Sequence, residues 1–181
     1  MKKTKFNASI IICLITVCLS LLFVGCGDGR KADDVIGEYA VDRIELRSAS
    51  NESVLYYMKD KESIEDIAIK KLMDELNKQR YEIVKNENGE GMIYYTKSLM
   101  DTGVYAKVQA EYIDSVTFDK EYEYQYNLNM KNGGYKAVAN IDGEFRIFRQ
   151  IVEGVNDDLY ALVNNTGYER AYIYYVKQPA E

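Results

Sequence analysis

Residues 121–131 read EYEYQYNLNMK, so an aromatic or aliphatic side chain falls on every second position: Tyr122, Tyr124, Tyr126, Leu128 and Met130. A period of two belongs to a β-strand, whose successive side chains stand on opposite faces. The stretch therefore reads as a strand with those five residues against a core and Glu123, Gln125, Asn127 and Asn129 toward water. Burial of an apolar side chain contributes about 1.5 to 3 kcal/mol, so such a strand would be a main support of the fold. A register slip of one residue would expose all five together, which specifies the pairing strongly.

The same period recurs through the later part of the chain, cut by turn-forming runs: NENGEG at 86–91, NGG at 132–134, DG at 142–143 and NNTG at 164–167. Strand-like runs lie between them, near 81–85, 92–97, 104–118, 121–131, 135–140, 144–152, 159–163 and 169–177. Two earlier runs, from Gly37 to Leu46 and from Val54 to Met58, bring the expected total to about nine or ten strands. No helix separates the later runs, so neighbours should pair antiparallel. One helix is expected, at about 64–79. Ser63 and Asp66 have the spacing of a capping box, and Ala68, Ile69, Leu72, Met73 and Leu76 form one stripe at 100° per residue. Ile67 stands off that stripe. The expected fold class is mainly β: an antiparallel meander closed as a barrel or folded as a two-sheet sandwich, with one amphipathic helix.

A length of 181 residues suits one domain with a real hydrophobic core. Lys and Arg number 23 against 29 Asp and Glu, a net charge of −6. Such a surface repels phosphate backbones, and the sequence offers no basic stripe for nucleic acid. The chain has no His and no Trp but 17 Tyr. Absence of His excludes Ser-His-Asp triads and histidine-based zinc sites.

The first residues, MKKTKFNASIIICLITVCLSLLFVGC, run from a basic start through the uncharged stretch Ala8 to Val24, then Gly25 and Cys26. That order is a secretory signal organisation, and its end resembles the lipobox of bacterial lipoproteins, with Phe23 where that family favours Leu. The resemblance implies cleavage by signal peptidase II after export by the secretion machinery. Cys26 would then be the lipid-attachment residue, carrying a diacylglyceryl group with or without an N-acyl chain. The expected organisation is a signal peptide at 1–25, a lipidated Cys26 and tether at 26–34, and a single β-rich domain at 35–181. Removal of Lys2, Lys3 and Lys5 leaves 20 basic against 29 acidic side chains, net −9. The alternative is an uncleaved anchor, since Ala8 to Gly25 as helix spans roughly 27 Å at about 1.5 Å per residue. Both place the domain at the extracytoplasmic face of the cell membrane. Two acyl chains on one residue supply the double signal that stable anchoring needs. Cys13 and Cys18 leave with the signal segment, so the mature domain has neither disulfide nor thiol nucleophile.

Gly37-Glu38-Tyr39 opening a strand ahead of an antiparallel meander is similar to the lipocalin-like domains of some bacterial lipoproteins, with Tyr39 where lipocalins carry Trp. That resemblance implies a closed barrel with a small-ligand cavity. Tyr122, Tyr124 and Tyr126 are the candidate ligand-binding residues, with Tyr172 and Tyr174 behind them, because tyrosine joins apolar area to a hydroxyl tip. Half-buried strand packing explains the same residues. The carboxylate pairs Asp33-Asp34, Glu65-Asp66 and Asp157-Asp158 lack calcium-loop spacing, and NENG at 86–89 holds only a fragment of it. No metal site, cofactor or catalytic residue is assigned. The expected function is a membrane-anchored, non-enzymatic binding module for a small ligand or glycan. The alternatives are an envelope interaction protein without a cavity and, third, a carboxylate-based hydrolase.

Overall fold

The computed structural model describes residues 30–180 except Glu90, Lys120, Glu123 and Asn156, and the backbone alone of Asp157. The expected signal segment at 1–25 and Cys26 lie outside the described residues. At the end of the expected tether, Ala32–Val35 forms a single 3-10 turn. From Val35 onward the chain is one unit. In order it forms β1 (Gly37–Arg47), β2 (Ser53–Tyr57), α1 (Ile67–Asn77), β3 (Gln79–Lys85), β4 (Met92–Leu99) and β5 (Tyr105–Phe118). Then follow β6 (Gln125–Met130), β7 (Tyr135–Ile141), β8 (Glu144–Ile151), α2 (Asp157–Asn165) and β9 (Arg170–Lys177).

Neighbouring strands from β3 to β9 pair antiparallel in sequence order. β1 closes the circle, because Gly37–Ala40 pairs with β3 and Tyr39–Arg47 pairs with β9. The result is an eight-stranded barrel, with β2 added along Arg43–Arg47 of β1 beyond the end of β3. Of the two architectures expected, barrel and sandwich, the chain adopts the barrel. A β-bulge between Val41 and Arg43 shifts the phase of β1, so that Tyr39 and Val41 and then Ile44 and Leu46 are all buried. These join Ile83, Tyr126, Leu128, Val138 and Ile173 in one core cluster, which also takes in Leu72, Met73 and Leu76 of α1 and Val163 of α2. The two helices lie against each other.

Three expectations change. The helix runs 67–77 instead of 64–79, because Asp66 is the N-cap and accepts from Ala68 N at 2.8 Å and Ile69 N at 3.1 Å. Ser63 is not available to cap, since it ends a 3-10 helix and its hydroxyl donates to Asp60 O at 2.6 Å. The run 159–163, expected as a strand, is the middle of α2. Five apolar-rich residues are too few to show a period of 3.6. Its NNTG is a helix end, with Thr166 N donating to Val163 O and Gly167 N to Asn164 O, and Gly167 at φ 80°.

The third change concerns the opening stretch. The strand expected over 121–131 starts only at Gln125, because the Asp119 carboxylate accepts from Glu121 N and Tyr122 N at 2.9 Å each and folds that segment into a loop. Tyr126, Leu128 and Met130 are buried as the alternation requires. Tyr122 and Tyr124 are not: they are 46% and 48% exposed and pack on each other at 6.0 Å. Tyr126→Asp is therefore expected to destabilise the domain by about 3 kcal/mol or more, while Tyr124→Asp leaves the circular-dichroism melting curve nearly unchanged.

Candidate functional site

The barrel wall is not equally tall all round. β4 and β5 pair along their whole shared length, but the β5–β6 ladder begins only at Ile113 and the β7–β8 ladder holds only Val138–Ile141 against Glu144–Ile147. Thus the β6–β7 hairpin is short, while β5 (from Tyr105) and β8 (to Ile151) run on past it. The sheet lacks cross-strand pairing there, and a half-open cavity of about 610 Å³ enters the barrel through the gap. That size suits a small organic ligand.

Strand alternation decides what lines it. Gln79 and Tyr81 of β3 and Tyr94 and Thr96 of β4 form the floor. Gln109 and Glu111 share a face of β5 with buried Ile113, Lys136 shares one with buried Val138, and Arg149 one with buried Ile147 and Ile151. Arg149 Nη1 donates to Gln79 Oε1 at 2.7 Å and to the Tyr81 hydroxyl at 3.1 Å. Lys136 Nζ pairs with Glu111 at 3.0 Å and lies 4.9 Å from the centre of the Tyr94 ring. The Tyr81 ring packs on Tyr94 at 5.2 Å and edge-on to Tyr175 at 4.6 Å. The buried Tyr175 hydroxyl lies beside Tyr81 and Arg149 but meets neither in good hydrogen-bond geometry.

These surroundings fix the protonation states. Burial, with the neighbouring Tyr81, Tyr175 and Glu111, pushes the Tyr94 hydroxyl well above its ordinary range. Burial raises Tyr175 likewise. Burial disfavours charge on Arg149, but the Tyr81 and Tyr175 hydroxyls outweigh it and the guanidinium stays charged. The lining thus combines hydroxyls and amides with one ion pair and one guanidinium.

A second cavity, of about 630 Å³, lies beside Gly37 and the C-terminal residues Lys177 to Ala180. Its carboxylate, Glu38, is already bound by Arg80 at 2.5 Å and by Lys97. Burial pushes the Glu38 carboxyl up, yet hydrogen bonds from those two cations hold it below its usual range. Its charges are satisfied within the wall, so the first cavity is the stronger candidate.

The tyrosines singled out from the sequence do not meet in this cavity. Tyr126 fills the core, where its ring contacts Phe118 at 5.1 Å and Phe145 at 5.6 Å, and Tyr122 and Tyr124 lie ahead of β6. Tyr172 and Tyr174 face outward beside Phe148, with Arg47 4.6 Å from the Tyr172 ring and Arg43 4.7 Å from the Tyr174 ring. Tyr81, Tyr94, Lys136 and Arg149 were missed, since only cross-strand register brings them together. Of the carboxylate pairs, Asp66 caps α1 and Asp34 accepts from Lys31 N at 2.7 Å. NENG closes the β3–β4 hairpin, with Asn86 N bonded to Gly91 O at 2.9 Å. No cluster of three or more Cys, Asp or Glu placed to hold a metal occurs among the described residues. No family model matches the chain, and no characterised protein matches it either.

Tyr39, raised by burial and by Tyr126, joins Tyr94 and Tyr175 as groups that keep their protons where tyrosines of the unfolded chain lose them. Their contribution is complete below the unfolded value near 10 and is lost as pH rises beyond it, because the unfolded state then binds fewer protons. Tyr94→Phe is expected to flatten the fall of stability between about pH 10 and 11, by up to about 1.4 kcal/mol per pH unit, measured by urea unfolding at each pH.

Proposed function

We propose that this chain is an extracytoplasmic lipoprotein, anchored to the cell membrane through a diacylglyceryl group on Cys26, whose barrel is a non-enzymatic binding module for a small polar ligand. The observation that carries the reading is the half-open cavity of about 610 Å³ in the barrel, beside a core cluster of buried side chains from strands and both helices. Its lining supports binding in preference to catalysis. Its rim carboxylate, Glu111, is held by Lys136, and the floor hydroxyl of Tyr94, pushed up by burial, remains a neutral hydrogen-bonding group. The address rests on the basic start, apolar run and small residue before Cys26. Lipid attachment would keep the module next to the membrane, where a transporter or wall enzyme could receive what it captures.

A protein–protein role is the second reading, favoured by one feature. Between Tyr105 and Glu111, β5 pairs with β4 alone, and Val108 on it is exposed. An unpaired strand edge of this kind can accept a partner strand.

The anchor is tested by mass spectrometry of the native chain and detergent-phase partitioning. A lipid-modified N-terminal Cys26 is expected, and Cys26→Ser should lose both the modification and the partitioning; an intact Met1 with an unmodified Cys26 sinks the assignment. For the cavity, Gln109→Trp places the chain's sole tryptophan on the rim. Titration with simple saccharides and small organic acids should give a saturable change in emission that an added Thr96→Phe removes. A flat response to the whole panel would count against a ligand module.

A further inference from the structure

The charge of the cavity is opposite to that of the chain. Over the whole sequence acidic side chains exceed basic ones, to a net −6, yet the charged side chains lining the cavity are Lys136, Arg149 and Glu111. Lys136 and Glu111 neutralise each other at 3.0 Å, which leaves Arg149. Its Nη1 is used twice, on the neutral acceptors Gln79 Oε1 and Tyr81 hydroxyl. It pairs with no carboxylate among the described residues; Glu75 and Asp158 line the adjoining recess without bonding to it. A half-buried guanidinium normally meets a carboxylate or another charged acceptor, because withdrawal from water is costly for an unpaired charge. No partner of Nε or Nη2 is found among the described residues, and that edge of the fork matches two oxygens of one oxyanion.

We infer that the cavity recognises a small, water-soluble organic oxyanion, a carboxylate or phosphate ester, whose anionic group docks on Arg149. This rests on the reading of the barrel as a ligand module and supplies its ligand class. Tyr81 contributes to the site by accepting from Arg149, which leaves its own proton free to donate, so guanidinium and phenol converge on the same anion. Gln79 fixes the guanidinium plane from the other side. The body of the ligand lies over the floor, where Thr96 and Gln109 offer neutral hydrogen-bonding groups. An acidic surface around a cavity with one uncompensated cation also disfavours large polyanions through long-range repulsion, while a small anion inside feels chiefly the near charge.

The test uses the full chain in a neutral maltoside detergent, with the Arg149 Nε–Hε resonance and the cavity amides followed by NMR. Citrate and glycerol 3-phosphate are the anionic probes and methyl β-glucoside the neutral one. At least one anion is expected to shift the Arg149 resonance saturably, and Arg149→Gln, with unchanged amide dispersion, is expected to weaken that binding by about tenfold or more. If Arg149→Gln fails to fold, the wild-type Nε–Hε response decides alone. The inference is overturned if the anions leave Nε–Hε unmoved, or bind Arg149→Gln equally well, while the glucoside shifts the Tyr94 and Thr96 amides; the ligand module then stands with a neutral ligand. If no probe shifts any cavity amide, both the ligand class and the module reading fall.

Discussion

β1 belongs to two ladders at once, and barrel closure follows from that. Its first residues pair with β3, and from Tyr39 onward it pairs with β9, so the last strand returns to the first. Closure removes the sheet edges that an open meander would leave. The two ladders overlap at Tyr39 and Ala40, and at the start of β1 Gly37 pairs with Ile83 at φ 149°, where a Cβ would come within 2.8 Å of the Lys177 side chain. The bulge at Val41–Arg43 then re-phases β1, letting one strand serve the barrel interior with Tyr39 and Val41 and the helix-covered part of the core with Ile44 and Leu46.

Once the barrel is closed, strand length decides where it can open. A hairpin shorter than its neighbours leaves the flanking strands unpaired above it. The β6–β7 hairpin, turning at Lys131–Gly134, does this between β5 and β8. The cavity is thus a consequence of register, and its lining comprises the side chains that alternation turns inward at that height.

The sequence disclosed the barrel's strands more fully than its site. Period two and glycine-bearing turns placed eight of the strands near their observed positions, and the helix stripe Ile69, Leu72, Met73 and Leu76 is the buried one. The errors have local causes. Asp119 turns the chain without a glycine or proline, so an alternating pattern ran on into a loop. Asp66, not Ser63, offered a free side-chain oxygen at the helix start. In LYALV, the pair Leu159 and Val163 suits a helix as well as the whole run suits a strand. The site was not readable at all, since Gln79, Tyr94, Lys136 and Arg149 stand on four different strands and none belongs to a short motif.

Tyrosine makes the distinction sharper. In the filled part of the barrel, Tyr126 packs against Phe118 and Phe145, and the Tyr39 hydroxyl donates to Val35 O at 2.7 Å. In the open part, Tyr81, Tyr94 and Tyr175 pack on one another, and the hydroxyls of Tyr81 and Tyr175 lie toward Arg149. The amino acid is the same, and its spacing along the strand is the same. What differs is the partner opposite: a backbone carbonyl or aromatic neighbours in one case, a guanidinium beside a gap in the wall in the other. A half-buried guanidinium among phenols is less stabilising than apolar filling of the same space. The domain tolerates that cost because most of its interior is already filled by apolar side chains from strands and both helices. The polar lining is therefore confined to the one place where the wall is short, and there a ligand can reach it.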